Sequence, residues 1–421
     1  MKRAVNKLKD EQEQHIIARV ESMKVKEPRV MWRTLKSLSK WSPDNRRRNP
    51  IPIIDKASGA MVNDFQGIKA TWAKYFHSLG TCNERPSAAE ARGLQAQVEV
   101  NLERILESSC ESNLISYDQL NAPIQDSEVA VAIHRLKSQK AASEDNVIDE
   151  MIKHGGEPMV PVLARLLNFV FLTQWIPQDW EVGIIFPLFK KGSRSDPGNY
   201  RGITVSSVLY KTLSILLNNR IVHWIETNRV LRDEQGGFRP GRGCSEQVFS
   251  LVEIIRYRRS LGMKTYCCFV DIQKAFDSVW RNGLWWKLWN IGIWGRMWSI
   301  LRSLYRSVQG KVKVEKELST SFEISIGVKQ GCPLSPSLFS IFFDSISEEL
   351  DRVGVGVRIE QRRVCQLLYA DDIVLLAETK EDLQALVDAV YRASEKWQLH
   401  VNLVKKPRPW CSIGKVRTQR K

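Results

Sequence analysis

The sequence predicts an α+β fold, because helical and strand-like segments interleave along the chain without strict strand–helix–strand alternation. Residues 182–189, VGIIFPLF, and 264–272, KTYCCFVDI, are rich in the β-branched and aromatic residues that favour strands. Residues 127–142, SEVAVAIHRLKSQKAA, place apolar side chains at helical spacing. The 421 residues, 43% of them hydrophobic, suffice for a sizeable core and about two or three structural units.

The first part of the chain is predicted to be helical and highly charged. Residues 1–42 have a helical pattern, and SPDNRRRNP at 42–50 then introduces prolines and arginines that predict a loop. Residues 64–108 predict two further helices, separated by NERPS. We therefore expect residues 1–121 to form a helical linker or N-terminal extension.

From residue 122 onward, strands and helices are predicted to alternate irregularly. The helix near Ser127 is followed by an apolar helix in VPVLARLLNFVFLTQWI, which we expect to be buried. The strand at 182–189 leads into a polar loop at 190–202 that is dense in turn residues. The later elements are expected to be helices at about 205–228 and 244–260, a strand at 264–272, a tryptophan-rich helical region at 280–307, a strand pair around 311–328, a helix at 335–353, a hairpin around 369–372 and a helix at about 380–397. The tryptophans of 280–307 are expected to pack in the core rather than stack on bases.

The charge balance predicts a polyanionic partner. Lys and Arg number 63 against 47 Asp and Glu, a formal net charge of +16, which suits nucleic acid, although a basic protein without this role is the alternative. The eight cysteines are scattered, which fits reduced thiols rather than a structural zinc site. No apolar signal region and no stretch of ~20 apolar residues is present, so we expect a nuclear or cytoplasmic protein that is neither secreted nor membrane-bound.

Two adjacent carboxylates, Asp371 and Asp372, interrupt the apolar stretch LLYADDIVLL. A buried carboxylate is unfavourable unless it is paired or binds a metal ion. The flanking strand-like segments predict a hairpin with both carboxylates at its tip, and Asp271 ends a strand expected in the same sheet. Converging carboxylates suit Mg²⁺, and two such ions ~3.5–4 Å apart can hold the attacking and leaving oxygens of a phosphoryl transfer. A solvated turn is the alternative for an isolated Asp-Asp pair.

Five motifs, taken in order, resemble those of reverse transcriptases of non-LTR (LINE-type) retrotransposons. FVDIQKAFDSV, GVKQGCPLSPSLFSIFF and LLYADDIVLL resemble the palm motifs. IIFPLFKKGSRSDPGNYRGITVSSVLYKTLSILLNNRI and EQGGFRPGRGCSEQVF resemble the fingers motifs. The resemblance covers residues 182–406, and more weakly the chain from 122. It implies a right-hand polymerase with fingers at 122–262 and a palm with an antiparallel sheet at 263–406.

The resemblance also implies roles for individual residues. Asp271 and Asp371 resemble the principal ligands of two Mg²⁺ ions, with Asp372 as a supporting carboxylate and the Ile272 carbonyl completing the metal shell. The residues that resemble the substrate-binding set are Lys190 and Arg201 for the triphosphate, Phe276 as the steric gate against a ribose 2′-OH, Gln330 and Gly331 beside the incoming nucleotide and template base, and Lys405. A surface cation is the alternative for Lys190 and Arg201, and a core aromatic for Phe276. Asp277 is expected to hold local structure.

The chain departs from the family pattern at several points. KAASEDN at 140–146 lacks the glycines and the proline of the common K-A-A-G-P-D-G, and nothing upstream resembles an endonuclease domain. KPRPWCS at 406–412 replaces K-T-K-x-M-V-F. Deleting one base from codons for K-T-K-A-M-V-F gives K-P-R-P-W-C-S, so we hypothesise a frameshift near Lys406. Residues 407–421 are expected to be a basic, disordered tail, with the thumb absent.

Together these patterns predict an RNA-directed DNA polymerase of LINE type, or a truncated copy of one. It would bind an RNA template, a DNA primer and dNTPs, and would catalyse Mg²⁺-dependent attack of the primer 3′-OH on the α-phosphate of a dNTP. A catalytically inactive nucleic-acid-binding remnant is the alternative. A maturase or telomerase-like polymerase fits the palm, but it does not fit the fingers strings NYRGI and GFRPGRG.

Overall fold

The fold is known from a computed structural model that describes residues 51–81, 89–111, 119–402 and 409–411. The helices are α1 (Phe65–Gly80), α2 (Ala89–Glu111), α3 (Asp126–Arg135), α4 (Asp149–His154), α5 (Met159–Thr173), α6 (Gln178–Glu181), α7 (Val208–Thr227), α8 (Cys244–Ser260), α9 (Arg281–Asn290), α10 (Gly295–Ser303), α11 (Ser335–Val353) and α12 (Lys380–Lys396). The strands are β1 (Ile53–Ile54), β2 (Met61–Val62), β3 (Val182–Phe189), β4 (Tyr200–Val205), β5 (Tyr266–Asp271), β6 (Gln309–Val314), β7 (Glu317–Leu318), β8 (Phe322–Glu323), β9 (Val357–Ile359), β10 (Arg362–Val364), β11 (Gln366–Tyr369), β12 (Asp372–Ala377) and β13 (Pro409–Cys411).

The mixture of helices with mainly antiparallel sheets confirms the predicted combination of α and β elements. The strand β3 and the helices α8 and α11 have the predicted bounds. The loop after β3 is shorter than expected, because β4 begins at Tyr200, which pairs with Phe189. The part of the extension that follows residue 51 is not purely helical, since β1 and β2 form an antiparallel hairpin. No helix among the described residues has the length and apolar composition needed to cross a membrane.

A four-stranded antiparallel sheet, in the order β11–β12–β5–β13, carries the predicted metal-binding carboxylates. Successive side chains on a strand point to opposite faces. Cys268 and Val270 of β5 therefore enter the main core, which also contains Ile373 of β12 and residues of α11 and α12. Cys267 faces a smaller cluster that includes Ile254 of α8. Strand β5 thus has buried side chains on both faces of the sheet, although Phe269 is 45% exposed.

A second sheet, in the order β4–β3–β6–β7 with β8 beside β6, combines strands from the predicted fingers and palm ranges. The pair β3–β6 is parallel, and the other pairs are antiparallel. Helix α1 packs on this sheet through Trp72 and Phe76, which belong to a buried cluster that includes Ile185 and Val312. The Trp72 ring stacks on Phe76 at 5.7 Å and meets Tyr200 edge-on at 4.9 Å. Part of the predicted extension therefore packs into the predicted fingers, and the predicted domain division stays a prediction.

The tryptophan-rich region and the apolar helix α5 were both expected to be buried, and each is buried only in part. Trp280, Trp285 and Trp298 are buried, which confirms core packing for these three, and the Trp298 indole N–H donates to the Trp285 carbonyl at 2.8 Å. Trp294 is about half exposed.

Helix α5 is buried on one face only, because Val162 and Phe169 are exposed. The expectation that the whole apolar helix is buried was therefore wrong.

We expect Gly202→Ala to lower the free energy of unfolding by about 1–3 kcal/mol, because an added Cβ would lie 2.5 Å from the Phe76 ring and 3.0 Å from Ile185 Cγ2. The matched control is Gly93→Ala in α2, where nothing lies within 4 Å of the added carbon. That change should stabilise by up to about 1 kcal/mol, since alanine is the better helix former. Urea unfolding measures both. Equal effects of the two substitutions would contradict the close packing of α1 on β4.

Candidate active site

The two adjacent carboxylates lie where the sequence predicts, at the tip of a β-hairpin. Tyr369 of β11 pairs with Asp372 of β12, so Ala370 and Asp371 form a two-residue turn. Strand β12 also pairs with β5, and Asp372 lies directly opposite Asp271. Directly opposite residues in an antiparallel pair have their side chains on the same face. The neighbour of Asp271 in register is therefore Asp372, and Asp371 precedes it in the turn.

The electrostatic surroundings of Asp371 show that the carboxylates interact. Burial raises the pKa of Asp371, and the negative charges of Asp372 and Asp271 raise it further. The positive charge of Arg201 on β4 opposes this effect. Strand β4 therefore brings a guanidinium close enough to act on the turn that carries Asp371. The arrangement concentrates negative charge at the end of the sheet and provides a cation near it.

The segment after α12 fixes the end of β5. The Asn402 side-chain amide donates to Asp271 Oδ2 at 2.7 Å, and the Asn402 backbone N–H donates to the Asp271 carbonyl at 2.8 Å. The next residue, Ile272, forms an isolated antiparallel bridge with Val401, and it is buried. Asn402 was given no role from the sequence. Its place inside residues 182–406, the range that resembles the family, was the available signal.

The donor chemistry of the site fits a hard divalent cation. In the part of the chain that the structure describes, no three His, Cys, Asp or Glu side chains are already arranged as a metal-ligand group. Three carboxylates nevertheless lie at one end of the sheet, those of Asp271, Asp371 and Asp372. Hard cations prefer such oxygen ligands. A bound cation would relieve the repulsion that raises the pKa of Asp371.

Phe276 is half-buried, and it lies in the loop after β5 with its ring against helix α11. Its ring stacks on Phe339 at 4.8 Å, and Phe238 meets it edge-on at 5.9 Å. Its carbonyl accepts from the Val328 N–H at 2.8 Å. The residue therefore contacts the core, as the alternative interpretation expects, and it keeps part of its surface accessible, as a steric gate requires.

Gln330 and Gly331 lie between β4 and the loop after β5. The Gln330 side-chain amide donates to Asp277 Oδ1 at 2.7 Å, and its carbonyl accepts from the Thr204 N–H at 2.7 Å. Gly331 has a φ of +112°, and a Cβ there would lie 2.7 Å from the Thr204 carbonyl oxygen. Glycine is therefore required by the close approach of β4, a reason that differs from the ligand contact expected from the sequence. Asp277 holds local structure, as predicted.

The two predicted triphosphate-binding cations lie on the second sheet. Lys190 directly follows β3, and its N–H donates to the Asn199 carbonyl at 2.9 Å. Arg201 lies on β4 opposite Leu188. Both cationic residues are exposed. Lys405, the remaining predicted substrate contact, lies outside the described residues.

A buried cation that the sequence did not indicate shapes this region. Arg281, at the start of α9, is 8% exposed, and the hydrogen bonds described for its guanidinium all go to backbone carbonyls. The accepting carbonyls are those of Gly327, Tyr305, Ile324 and Ile326. These bonds fix the segment that leads into the Gln330 loop. Nothing in the sequence distinguishes this arginine from the many surface arginines.

A family model described as reverse transcriptase (RNA-dependent DNA polymerase) matches residues 189–407, just over half of the chain. The chain therefore belongs to the reverse transcriptase family. The matched segment includes every metal-binding and substrate-binding residue predicted from the sequence.

Several curated relatives are RNA-directed DNA polymerases of transposons. The chain is 30% identical over 300 residues to the probable RNA-directed DNA polymerase from transposon BS of Drosophila melanogaster, covering 69% of this chain and 32% of the relative. It is 28% identical over 289 residues to the RNA-directed DNA polymerase from the mobile element jockey of Drosophila funebris, covering 66% of this chain and 31% of the relative. It is 28% identical over 245 residues to the Pol polyprotein of the type-1 retrotransposable element R2 of Nasonia vitripennis, covering 58% and 22%. The chain thus spans less than a third of each of these relatives, and its resemblance to reverse transcriptases of LINE-type elements is confirmed.

We expect Asp277→Asn to stabilise the protein at pH 7 by about 1–3 kcal/mol. Burial raises the pKa of Asp277 from 3.8 to about 6, so the folded state disfavours the charged carboxylate. A carboxyl group with a raised folded pKa contributes less stability as the pH rises, here between about 4 and 6. Asparagine retains an acceptor for the Gln330 amide and carries no charge.

Urea unfolding of the wild type and of Asp277→Asn, at about pH 3 and at pH 7, tests this expectation. The stability gain should largely vanish at the lower pH, where the aspartate is mostly protonated in both states. The exposed Asp179→Asn serves as control and should show no comparable gain at either pH. A gain that is the same at both pH values would show that the charge of Asp277 is not the cause.

Proposed function

We propose that this chain provides the fingers and palm of an RNA-directed DNA polymerase that extends a primer 3′-OH on an RNA template. The observation that carries the proposal is the register between β5 and β12. Asp271 lies directly opposite Asp372, and Asp371 occupies the adjacent turn, so three carboxylates meet at one end of the sheet. Membership in the reverse transcriptase family supports the same chemistry.

The site residues suit a reaction that depends on two Mg²⁺ ions, since reverse transcriptases generally use divalent metal ions. The ligands would be Asp271, Asp371, Asp372 and the Ile272 carbonyl. When bound, these ions supply Lewis-acid stabilisation of the attacking and leaving oxygens of phosphoryl transfer. Asn402 orients the Asp271 carboxylate through its hydrogen bond of 2.7 Å.

The fingers residues would bind the nucleotide. Arg201 acts electrostatically on Asp371, so its guanidinium lies near the sheet end where a triphosphate would approach. The planar fork of arginine binds phosphate oxygens in pairs. Lys190, exposed at the end of β3, would add a second positive charge. Gln330 and Gly331 would support the incoming nucleotide and template base, because hydrogen bonds to β4 and to the loop after β5 fix their position.

The partners would be an RNA template, a DNA primer and dNTPs. A net charge of +16 supports binding to the phosphate backbone. The fingers would correspond to 122–262 together with the packed helix α1, and the palm to 263–406 together with β13, which pairs with β5. Strands β6–β8 of the palm range would extend the fingers sheet. A nuclear or cytoplasmic location stays a prediction.

We expect Asp271→Ala or Asp371→Ala to lower the rate of primer extension at least about 100-fold, because loss of one preorganised electrostatic group typically costs about 10²–10³ in kcat. Affinity for the primer–template should be almost unchanged, since it depends on Lys and Arg. Extension of oligo(dT) on poly(rA) with Mg²⁺ and dTTP measures the rate. The exposed Asp388→Ala on α12 is the matched control and should retain activity.

The outcomes of this experiment separate the proposal from its alternative. A wild-type protein that binds the primer–template but does not extend it would be an inactive nucleic-acid-binding remnant. An equal loss of binding and extension in the Asp271 variant would show that the carboxylate is structural.

We expect Phe276→Val to increase incorporation of ribonucleotides relative to deoxyribonucleotides. Shortening the half-buried ring opens space where a ribose 2′-OH would lie. The measurement is the ratio of kcat/KM for UTP and dTTP, with Phe249→Val on the exposed side of α8 as the control. An unchanged ratio in a folded Phe276 variant would identify the ring as a core residue and not a gate.

A further inference from the structure

The side chain of Gln235 is buried against the turn that carries Asp371. It lies in the EQGGF segment between α7 and α8 and is only 3% exposed. Its carbonyl oxygen accepts from the Ala370 N–H at 3.0 Å and from the Gly237 N–H at 2.8 Å. Its amide nitrogen donates to the Ala370 carbonyl at 3.3 Å. One side chain thus bonds both backbone groups of the residue that precedes Asp371.

The backbone of the same segment runs beside β11. The Leu368 N–H donates to the Glu234 carbonyl at 2.9 Å, and the Gly236 N–H donates to the Leu368 carbonyl at 2.9 Å. These bonds make a parallel bridge between Gln235 and Leu368. At Gly237 an added Cβ would lie 2.1 Å from the Ala370 nitrogen, so only glycine permits this approach.

The turn that Gln235 contacts is strained. Ala370 has a φ of +59°, in the left-handed region that is unfavourable for a residue other than glycine. Two-residue hairpin turns normally place Gly, Asn or Asp at positions with positive φ. Alanine brings no compensating side-chain hydrogen bond. An external group must therefore hold this conformation, and the amide of Gln235 provides both the donor and the acceptor that the Ala370 backbone requires.

We propose that Gln235 is a positioning residue that fixes the Asp371 carboxylate through the backbone of Ala370. The inference rests on the proposed function, because that function gives Asp371 its role as a metal ligand. The dihedral angles of Ala370 determine where the next side chain points. Gln235 itself does not touch the reacting atoms, so it should affect the chemical step and metal binding, and not the binding of nucleotide or primer–template.

The chemistry of the contact requires an amide. Gln235→Met keeps the length of the side chain and removes both bonds, which leaves the Ala370 backbone without them. Gln235→Glu keeps the acceptor, loses the donor to the Ala370 carbonyl and adds a fourth carboxylate close to the three at this end of the sheet. Both variants should impair the turn, and the glutamate variant is the second test if the methionine variant folds poorly.

The first experiment compares kinetic parameters. Gln235→Met should lower kcat for primer extension about 100-fold, the loss typical of an ~1 Å misplacement, while KM for dTTP and the Kd of the primer–template stay nearly constant. The control is Gln247→Met, the same change at a half-buried glutamine beside Gly236, for which the structure shows no bond to Ala370. It should leave kcat unchanged.

A rescue variant separates positioning from general stability. Ala370→Gly relieves the left-handed strain, because glycine adopts positive φ freely. Introduced into Gln235→Met, it should restore kcat by about tenfold, which is the size of effect expected when one left-handed residue is released from strain. The same substitution in the Gln247→Met control should change kcat little. A kcat that falls in parallel with the melting temperature, without rescue by Ala370→Gly, would overturn the proposal.

A readout without catalysis distinguishes this inference from the proposed function. Mn²⁺ titration of the full chain, followed by electron paramagnetic resonance without nucleotide, reports on the carboxylates directly. Gln235→Met should weaken Mn²⁺ binding severalfold, and Ala370→Gly should partly restore it. If this pattern holds in a protein that does not extend primers, the proposed function fails and the role of Gln235 stands. If extension occurs but Gln235→Met changes neither Mn²⁺ affinity nor kcat, the role of Gln235 fails and the function stands.

Discussion

The pairing of β5 with β12 is the interaction on which the rest of the site depends. It sets Asp271 opposite Asp372, and like charges directly opposite each other in a sheet are destabilising. The same two strands also pair Val270 with Ile373, whose buried side chains each contribute about 1.5–3 kcal/mol. A repulsive pair worth up to about 1 kcal/mol can therefore be held at the end of the sheet. Burial of the apolar residues around the carboxylates therefore offsets the repulsion between the carboxylates at the end of the sheet.

The loops around this sheet end are held by polar side chains bonded to backbone groups. The guanidinium of Arg281 donates to four backbone carbonyls, whereas the Asn402 side chain donates to the Asp271 carboxylate and the Asn402 backbone N–H to the Asp271 carbonyl. Gln235 bonds both backbone groups of Ala370. A buried polar side chain of this kind costs stability when its partner is missing, so each tolerates only one loop geometry. The network therefore favours a single arrangement of the carboxylates.

Local features of the fold could be predicted from the sequence, and nonlocal ones could not. The bounds of β3, α8 and α11 follow from periodicity and turn residues within each segment. The hairpin at Ala370 follows for the same reason. The parallel pairing of β3 with β6 joins residues more than a hundred positions apart, and no local pattern encodes it. The contacts of Gln235, Arg281 and Gly331 could not be predicted for this reason, because their partners are distant backbone atoms.

The β3–β6 pairing has a consequence for the site. It joins a strand of the predicted fingers range to one of the predicted palm range, and the Gln330 loop follows β8 on the palm side of this sheet. The carbonyl of Gln330 accepts from Thr204 on β4, while its side chain donates to Asp277 after β5. Gln330 is thus held by one hydrogen bond to the predicted fingers range and by another to the predicted palm range. A shift of β4 relative to β5 would break one of these two bonds, so the position of Gln330 depends on the distance between the strand that carries Arg201 and the strand that carries Asp271.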